Sequence, residues 1–122
     1  MKTKHLFIAV MALALALGLP GSVIAQDKDT VRIGCWLPMT GGVAAYGQME
    51  YAGVQVAREM KPTVLGKKVE LFLADTKSDK IEAATAMDRL LKKNKVHAVI
   101  GEAISGNTMA GAPIADKAKI PV

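Results

Sequence analysis

The sequence predicts an α/β fold, a Rossmann-like doubly wound parallel sheet. After residue 30, short apolar runs alternate with longer amphipathic runs, an order typical of βαβ units. Three such crossovers follow one another, and a series of right-handed crossovers builds a doubly wound sheet. Polar loops follow the apolar runs, at the strand ends where open α/β sheets bind ligands. We therefore expect the functional residues in the loops at the carboxyl ends of the strands.

Residues 1–25 are predicted to be a secretory signal peptide that lies outside this fold. A basic start precedes an apolar run over 6–19, and Val23-Ile24-Ala25 supplies the small residues of a cleavage site. The apolar run is shorter than the roughly 20 residues that span a bilayer, so no stable membrane insertion is expected after cleavage. The sequence thus predicts an exported chain that begins at Gln26.

The first strand is predicted over 31–37, an apolar run that Pro38 ends. Trp36 lies within this strand and is expected to belong to the core. A loop over 39–42 leads to a helix over 44–60, and Pro62 prevents its continuation. Apolar residues at steps of three and four predict one buried stripe, formed by Met49, Ala52, Gly53, Val56 and Met60.

A turn at Gly66-Lys67-Lys68 and a second strand over 69–74 are predicted next. Asp79 can cap a helix over 80–93, and Glu82 three residues later completes a capping box. The helix is expected to bury Ala84, Met87 and Leu91.

The last predicted elements are a third strand over 96–100, a loop over 101–107 and a helix over 108–117. Ile120 is predicted to open a fourth strand.

Composition argues against several classes of function. The chain carries 16 Lys and Arg against 11 Asp and Glu, scattered rather than clustered, and only 4% aromatic residues, so no nucleic-acid partner is expected. Cys35, the single cysteine, lies in an apolar run and is interpreted as a buried small hydrophobe rather than a reactive thiol. No paired His and Cys ligands and no set of nucleophile and base can be assembled. We therefore expect no metal, no cofactor and no catalytic residues.

The loop after the third strand matches a phosphate-binding P-loop except at one position. Asn107 stands where that motif needs Lys, so nucleotide binding is not expected. The Ser105 hydroxyl and the N–H groups of Gly106, Asn107 and Thr108 at the start of a helix suit a single anion, such as a carboxylate. The alternative is that Ser105 or Asn107 only caps the helix.

Two further residues near the strand ends have two interpretations each. Tyr46, close to the loop after the first strand, can present its ring to a ligand or pack in the core. Asp75, at the end of the second strand, can bind a ligand or serve as a cap.

Short motifs follow one another along the chain after residue 25. They are Val31-Arg32-Ile33-Gly34, Leu37-Pro38-Met39-Thr40-Gly41, Ala45-Tyr46-Gly47, Ala52-Gly53, Leu73-Ala74-Asp75-Thr76, Ala83-Ala84, and Val99-Ile100-Gly101 leading to Ser105 and Thr108. In this order, behind a signal peptide, they resemble the periplasmic substrate-binding proteins of branched-chain amino acid ABC transporters, which have the type I periplasmic binding fold. The resemblance implies that residues 26–122 are the N-terminal part of lobe 1 of a two-lobed protein.

The resemblance also implies roles for individual residues. Ser105 matches the serine whose hydroxyl binds the ligand α-carboxylate, with backbone groups near Ala103 and at the helix start around Thr108 beside it. Tyr46 matches an aromatic residue beside the ligand side chain, and Ala103 and Ile104 match residues that line the same pocket. Glu102 is a charge near this pocket that the resemblance does not assign.

The implied function is to bind a small amino acid in the periplasm and deliver it to the membrane permease subunits of an ABC transporter, without catalysis. One alternative is a receptor or uptake protein of the same fold for amides, urea or aromatic acids. Another is a Rossmann-like enzyme domain, against which the signal peptide and the absence of a dinucleotide-type glycine fingerprint argue.

Overall fold

The computed structural model describes residues 29–122, and the predicted signal peptide lies outside the described residues. The elements are β1 (Thr30–Leu37), α1 (Ala44–Met60), β2 (Thr63–Val64), β3 (Lys67–Asp75), α2 (Lys80–Arg89), β4 (Ala98–Ile100) and α3 (Ser105–Lys117), with a π-helical turn over Leu90–Asn94 after α2.

The strands form one sheet in the order β2-β3-β1-β4. β1 is parallel to β3 along its whole length and ends with Leu37 opposite Asp75. β1 is also parallel to β4, which ends with Ile100 opposite Cys35. Helical crossovers connect the three parallel strands, so the predicted α/β class with a parallel sheet is confirmed.

A short hairpin at the sheet edge was not predicted. β2 pairs antiparallel with β3, and the two residues between them, Leu65 and Gly66, have φ angles of 52° and 75°. Two-residue hairpin loops of this kind need positive φ at both positions, which Gly66 adopts without strain. The predicted turn at Gly66-Lys67-Lys68 is therefore displaced, because Lys67 and Lys68 already belong to β3.

The core lies between the sheet and the α2–α3 side of the molecule. Trp36 is fully buried, and its Nε1 donates to the Ala83 carbonyl oxygen at 2.8 Å, which confirms its predicted place in the core. Cys35 is also buried, and burial raises the pKa of its thiol to about 11, as expected for an unreactive cysteine. The buried apolar residues are Cys35, Trp36, Leu37, Ala74, Ala83, Ala86, Met87, Leu90, Val96, Val99 and Ala115.

The predicted cap of α2 is confirmed. The Asp79 carboxylate accepts hydrogen bonds from the N–H groups of Ile81 and Glu82, at 2.8 and 3.0 Å. The Glu82 side chain pairs with Lys77 at 3.3 Å, while the Asp79 N–H donates to a backbone carbonyl, so the second half of the capping box is absent.

The buried face of the α2 segment is rotated from the predicted one. Met87 is buried as expected, but Ala84 and Leu91 are only half-buried. The fully buried positions are instead Ala83, Ala86, Met87 and Leu90. Because alanines occupy adjacent positions, two faces of this helix are apolar, and the sequence pattern could not show which of them is buried. Packing against β1 and α3 determines the buried face.

The predicted buried stripe of α1 is wrong. Met49, Val56 and Met60 are 64%, 54% and 82% exposed. The helix instead buries Gly47, which lies against Pro38 after β1, and half-buries Val54, which faces the sheet across a cavity. Apolar residues occur around most of this helix, so spacing alone could not choose the inward face.

An open, mainly apolar cavity of about 740 Å³ lies between α1 and the sheet. Val31, Ile33 and Leu71 of the sheet line it, together with Val54 and Ala57 of α1. The contact between α1 and the sheet is therefore incomplete.

The predicted fourth strand is not formed within the described residues. The segment after α3 makes one backbone bond to the sheet, from the Val99 N–H to the Pro121 carbonyl oxygen at 2.9 Å. Ile120 packs partly buried against the core.

Candidate functional site

The carboxyl ends of the three parallel strands meet at one edge of the sheet. The register places the ends of β1 and β3 opposite each other, and β4 ends beside β1. Gly101, which leaves β4 with φ 134°, passes so close to the Trp36 carbonyl oxygen that an added Cβ would collide with it. The loops over 38–43, 76–79 and 101–104 are therefore neighbours, and together they form what we call the carboxyl edge.

Asp75 organises the loop after β1. Its carboxylate accepts hydrogen bonds from the N–H groups of Met39, Thr40 and Lys77, at 2.9, 3.2 and 2.8 Å, and from the Thr40 hydroxyl at 2.7 Å. Burial raises the pKa of Asp75, but these hydrogen bonds outweigh it and hold the pKa below its usual value. Of the two interpretations of Asp75, ligand contact or cap, the structure supports the second: Asp75 accepts hydrogen bonds from backbone N–H groups, but those groups belong to loops rather than to the start of a helix.

Glu102 organises the loop after β4. Its Oε1 accepts hydrogen bonds from the Thr76 hydroxyl and, at 3.2 Å, from Asn107 Nδ2, while its Oε2 accepts from the Ile104 N–H at 2.7 Å. Thr76 and Asn107 are both buried polar residues. One carboxylate thus ties together the loop after β3, the loop after β4 and the first turn of α3.

The start of α3 differs from its prediction and settles the capping question. The helix begins at Ser105, three residues earlier than predicted, and Ile104 is its N-cap residue, without a side-chain capping bond. Neither Ser105 nor Asn107 caps the helix, so that alternative is wrong. The Asn107 side chain instead donates a hydrogen bond to Glu102.

Part of the predicted set of anion donors is already engaged. The N–H groups of Asn107 and Thr108 both donate to the Ile104 carbonyl oxygen, at 3.0 and 2.9 Å. Within residues 29–122, the N–H groups of Ser105 and Gly106 and the Ser105 hydroxyl have no hydrogen-bond partner. Ser105 is exposed, so three donors remain available at the head of α3.

The other predicted site residues lie at the same edge. Ala103 is exposed and Ile104 is half-buried, directly before Ser105. The Thr108 hydroxyl lies 3.1 Å from the Ile104 carbonyl oxygen and 3.4 Å from that of Glu102, so it holds the loop. Tyr46 lies in the first turn of α1 with 62% of its surface exposed, which excludes the core-packing interpretation.

Sequence reasoning missed Thr76, Lys80 and the role of Glu102. Thr76 and Glu102 follow β3 and β4, the two strands that flank β1, at their carboxyl ends, and a hydroxyl and a carboxylate so placed could have indicated the bond. The Lys80 side chain lies against Gly106 and brings a cation close to the start of α3. Nothing in the spacing of Lys80 indicated this contact, which depends on how α2 packs against α3.

The described residues, 29–122, contain neither a cluster of metal-ligating side chains nor a membrane-spanning helix. In that part of the chain, no group of three or more His, Cys, Asp or Glu residues is placed to hold a metal ion. No helix among residues 29–122 combines the length and the apolar character needed to cross a membrane.

The chain is similar to known proteins in sequence and in fold. A Pseudomonas aeruginosa protein described as an amino acid binding protein is 29% identical over 97% of this chain and 32% of its own length. The crystal structure of a leucine-binding protein from Thermotoga maritima is 54% identical with a TM-score of 0.73, covering 75% of this chain and 26% of that one. A solute-binding protein of an ABC transporter from Rhodopseudomonas palustris, solved with 3,4-dihydroxybenzoic acid, is 32% identical with a TM-score of 0.73, covering 77% and 26%.

The chain spans about a quarter to a third of the length of these proteins. The sequence model of the periplasmic binding protein family matches residues 30–122, which is nearly all of the described structure. The fold agrees with that match, since the parallel sheet and its crossovers superpose on the leucine-binding protein. This chain belongs to the periplasmic binding protein family.

Proposed function

We propose that this chain is the N-terminal part of a binding protein that takes up a small amino acid, branched-chain or aliphatic, in the periplasm and delivers it to the permease subunits of an ABC transporter. In this proposal residues 1–25 are the signal peptide that directs export. Residues 26–122 are the first part of lobe 1, and the family match over 30–122 supports both this division and the periplasmic location.

The observation that carries the proposal is the set of unengaged donors at the head of α3. The Ser105 hydroxyl and N–H and the Gly106 N–H have no partner within residues 29–122, and they lie at the positive end of a helix. Lys80, packed against Gly106, adds a full positive charge nearby. Donors of this kind suit a carboxylate, which every amino acid carries.

The surroundings of these donors suit an apolar ligand side chain. Ala103 and Ile104 precede Ser105 directly, and Tyr46 is exposed at the start of α1. We assign the α-carboxylate to Ser105 and Gly106, and the aliphatic side chain to Tyr46, Ala103 and Ile104. Thr108 supports the site by holding the loop through its hydroxyl.

An aromatic acid is the second candidate ligand. The relative from Rhodopseudomonas palustris was solved with 3,4-dihydroxybenzoic acid, which has the same carboxylate but no ammonium group. The amino acid is favoured because the leucine-binding protein is 54% identical and this relative 32%. Amides and urea fit less well, because they carry no negative charge for the helix terminus and Lys80 to stabilise. No catalytic step is part of the proposal.

Isothermal titration calorimetry of the intact protein, as its natural gene encodes it, tests the proposal. L-leucine, L-isoleucine, L-leucinamide, urea and 3,4-dihydroxybenzoate form the panel. We expect L-leucine or L-isoleucine to bind at least about tenfold more tightly than L-leucinamide, because the amide lacks the charge that strengthens a hydrogen bond. Preference for the benzoate would favour the aromatic-acid alternative, and binding of none of the carboxylates would refute both.

A further inference from the structure

Glu102 lies at the centre of a hydrogen-bond cluster that joins three segments of the chain. Its carboxylate accepts from the Thr76 hydroxyl after β3, from the Ile104 N–H in its own loop, and from the Asn107 amide in α3. Thr76 is 0% exposed and Asn107 2% exposed. Buried donors of this kind are costly to leave unpaired, so the cluster holds the three segments in one arrangement.

The cluster suits a carboxylate. In the observed arrangement all three partners donate, and they use both oxygens of Glu102. Glutamine could keep the bond from the Ile104 N–H only with its NH₂ group facing Thr76 and Asn107, whose hydroxyl and amide would both have to reverse and accept.

The start of α3 leaves the N–H groups of Ser105 and Gly106 without a partner within residues 29–122, as helix geometry requires, and Glu102 holds the residues on either side of them. Glu102 accepts from the Ile104 N–H and the Asn107 amide, and the Ile104 carbonyl oxygen accepts from the N–H groups of Asn107 and Thr108. The position of the Ser105 and Gly106 donors therefore depends on where Glu102 holds Ile104.

We propose that Glu102 is a positioning residue for ligand binding, which fixes the loop over 101–104 so that Ser105 and Gly106 present unengaged donors to the ligand carboxylate. The role rests on the proposed function, because it concerns the same site. Glu102 acts through Ser105 and Gly106, because its bonds to Ile104 and Asn107 hold the residues on either side of them.

The test uses variants of the intact protein. Glu102→Gln keeps the size of the side chain but removes its charge, so the bonds of the cluster lose their charge-assisted strength and those of Thr76 and Asn107 must reverse. Thr76→Val removes one donor at nearly constant volume, whereas Thr76→Ser keeps the hydroxyl and is the conservative rescue. Glu70→Gln is the matched control, because Glu70 is exposed and lies within β3, away from the carboxyl edge.

Two measurements are made on each variant. Amide hydrogen exchange, followed by mass spectrometry, compares the peptide over 101–109 with the peptide over 80–89. Calorimetry gives the affinities for L-leucine and for 3,4-dihydroxybenzoate. For Glu102→Gln we expect amide exchange to be about tenfold faster in the peptide over 101–109 and unchanged in the peptide over 80–89. Whichever of the two ligands binds the wild type more tightly should bind this variant about tenfold more weakly, as for one lost charge-assisted hydrogen bond. Thr76→Val shows smaller changes in the same direction, and Thr76→Ser and Glu70→Gln match the wild type.

Each other outcome has a definite meaning. Unchanged exchange in Glu102→Gln overturns the proposal, and so does faster exchange with unchanged affinity. Weaker L-leucine binding with unchanged exchange and unchanged benzoate binding also overturns it, because Glu102 then contacts the ligand ammonium group directly. If the wild type binds neither ligand, the proposed function fails, and the exchange comparison still decides whether Glu102 orders the loop.

Discussion

Replacing Ser105 by alanine tests the centre of the candidate site. The substitution removes the exposed hydroxyl at the first residue of α3 and leaves the backbone donors of positions 105 and 106 in place. If the hydroxyl donates to a ligand carboxylate, its loss costs about 1.5–3 kcal/mol, the range for hydrogen bonds to charged groups. The dissociation constant should then rise about ten- to a hundredfold.

The same substitution should leave folding nearly unchanged. Ser105 makes no capping bond, and its side chain has no hydrogen-bond partner within residues 29–122. Alanine is also the better helix former, so the free energy of unfolding should change by no more than about 0.5 kcal/mol. Weaker binding without lower stability therefore separates a ligand contact from a structural role.

Calorimetry with L-leucine on the intact protein measures the effect. Thr85→Ala is the matched control, because Thr85 is exposed on α2 and its hydroxyl bonds only to the Ile81 carbonyl oxygen of its own helix. L-leucinamide should bind the wild type and Ser105→Ala with similarly low affinity, since the carboxylate is missing. An unchanged affinity for L-leucine in Ser105→Ala refutes the assignment of the carboxylate to this residue.

Three further predictions concern stability and are measured by urea unfolding of the intact protein. Gly111→Ala should lower the free energy of unfolding by about 1–3 kcal/mol, because the new Cβ would collide with the ring of Trp36. Its matched control, Gly53→Ala, has open space around it and should stabilise α1 by about 0.5–1 kcal/mol. Asp79→Ala removes the cap of α2 and should cost about 1 kcal/mol. The pKa of Asp75 is lowered in the folded state, so its contribution to stability is present above about pH 4 and lost as the pH falls through the folded pKa; Asp75→Asn should flatten this pH dependence.

The fold could be predicted from the sequence because its signals are local and repeated. Alternation of strands and helices, the proline after β1 and the Asp79 cap each depend on a few adjacent residues, and the structure confirms them. The inward faces of the helices were harder to predict. In α1 and α2, alanine, valine and methionine occupy more than one face, and the choice of Gly47 or Ala83 as inward positions comes from packing against the sheet.

The candidate site could be located but not assembled from the sequence. Its place followed from the rule that open parallel sheets bind ligands at the carboxyl ends of their strands. The hydrogen bond from Thr76 to Glu102 joins residues 26 positions apart, and it forms because β3 and β4 both flank β1. No local pattern could reveal this bond, whereas the bond from Asn107, 5 positions from Glu102, lies within one segment of the chain.

The carboxyl edge contains two carboxylates of its own, Asp75 and Glu102, although the candidate site suits a carboxylate ligand. Asp75 and Glu102 are surrounded by donors from their own loops, and these hydrogen bonds offset much of their charge within the protein. The ligand then meets neutral donors at Ser105 and Gly106 and the single cation of Lys80, with Asn107 in place of the lysine that a nucleotide site needs. The dipoles of a helix terminus and one lysine stabilise one negative charge far better than three or four, so the edge is suited to a singly charged carboxylate rather than to a polyphosphate. On this argument, Asn107→Lys replaces the neutral amide bond to Glu102 by a second cation, and calorimetry should show a higher affinity for inorganic phosphate and a lower affinity for L-leucine.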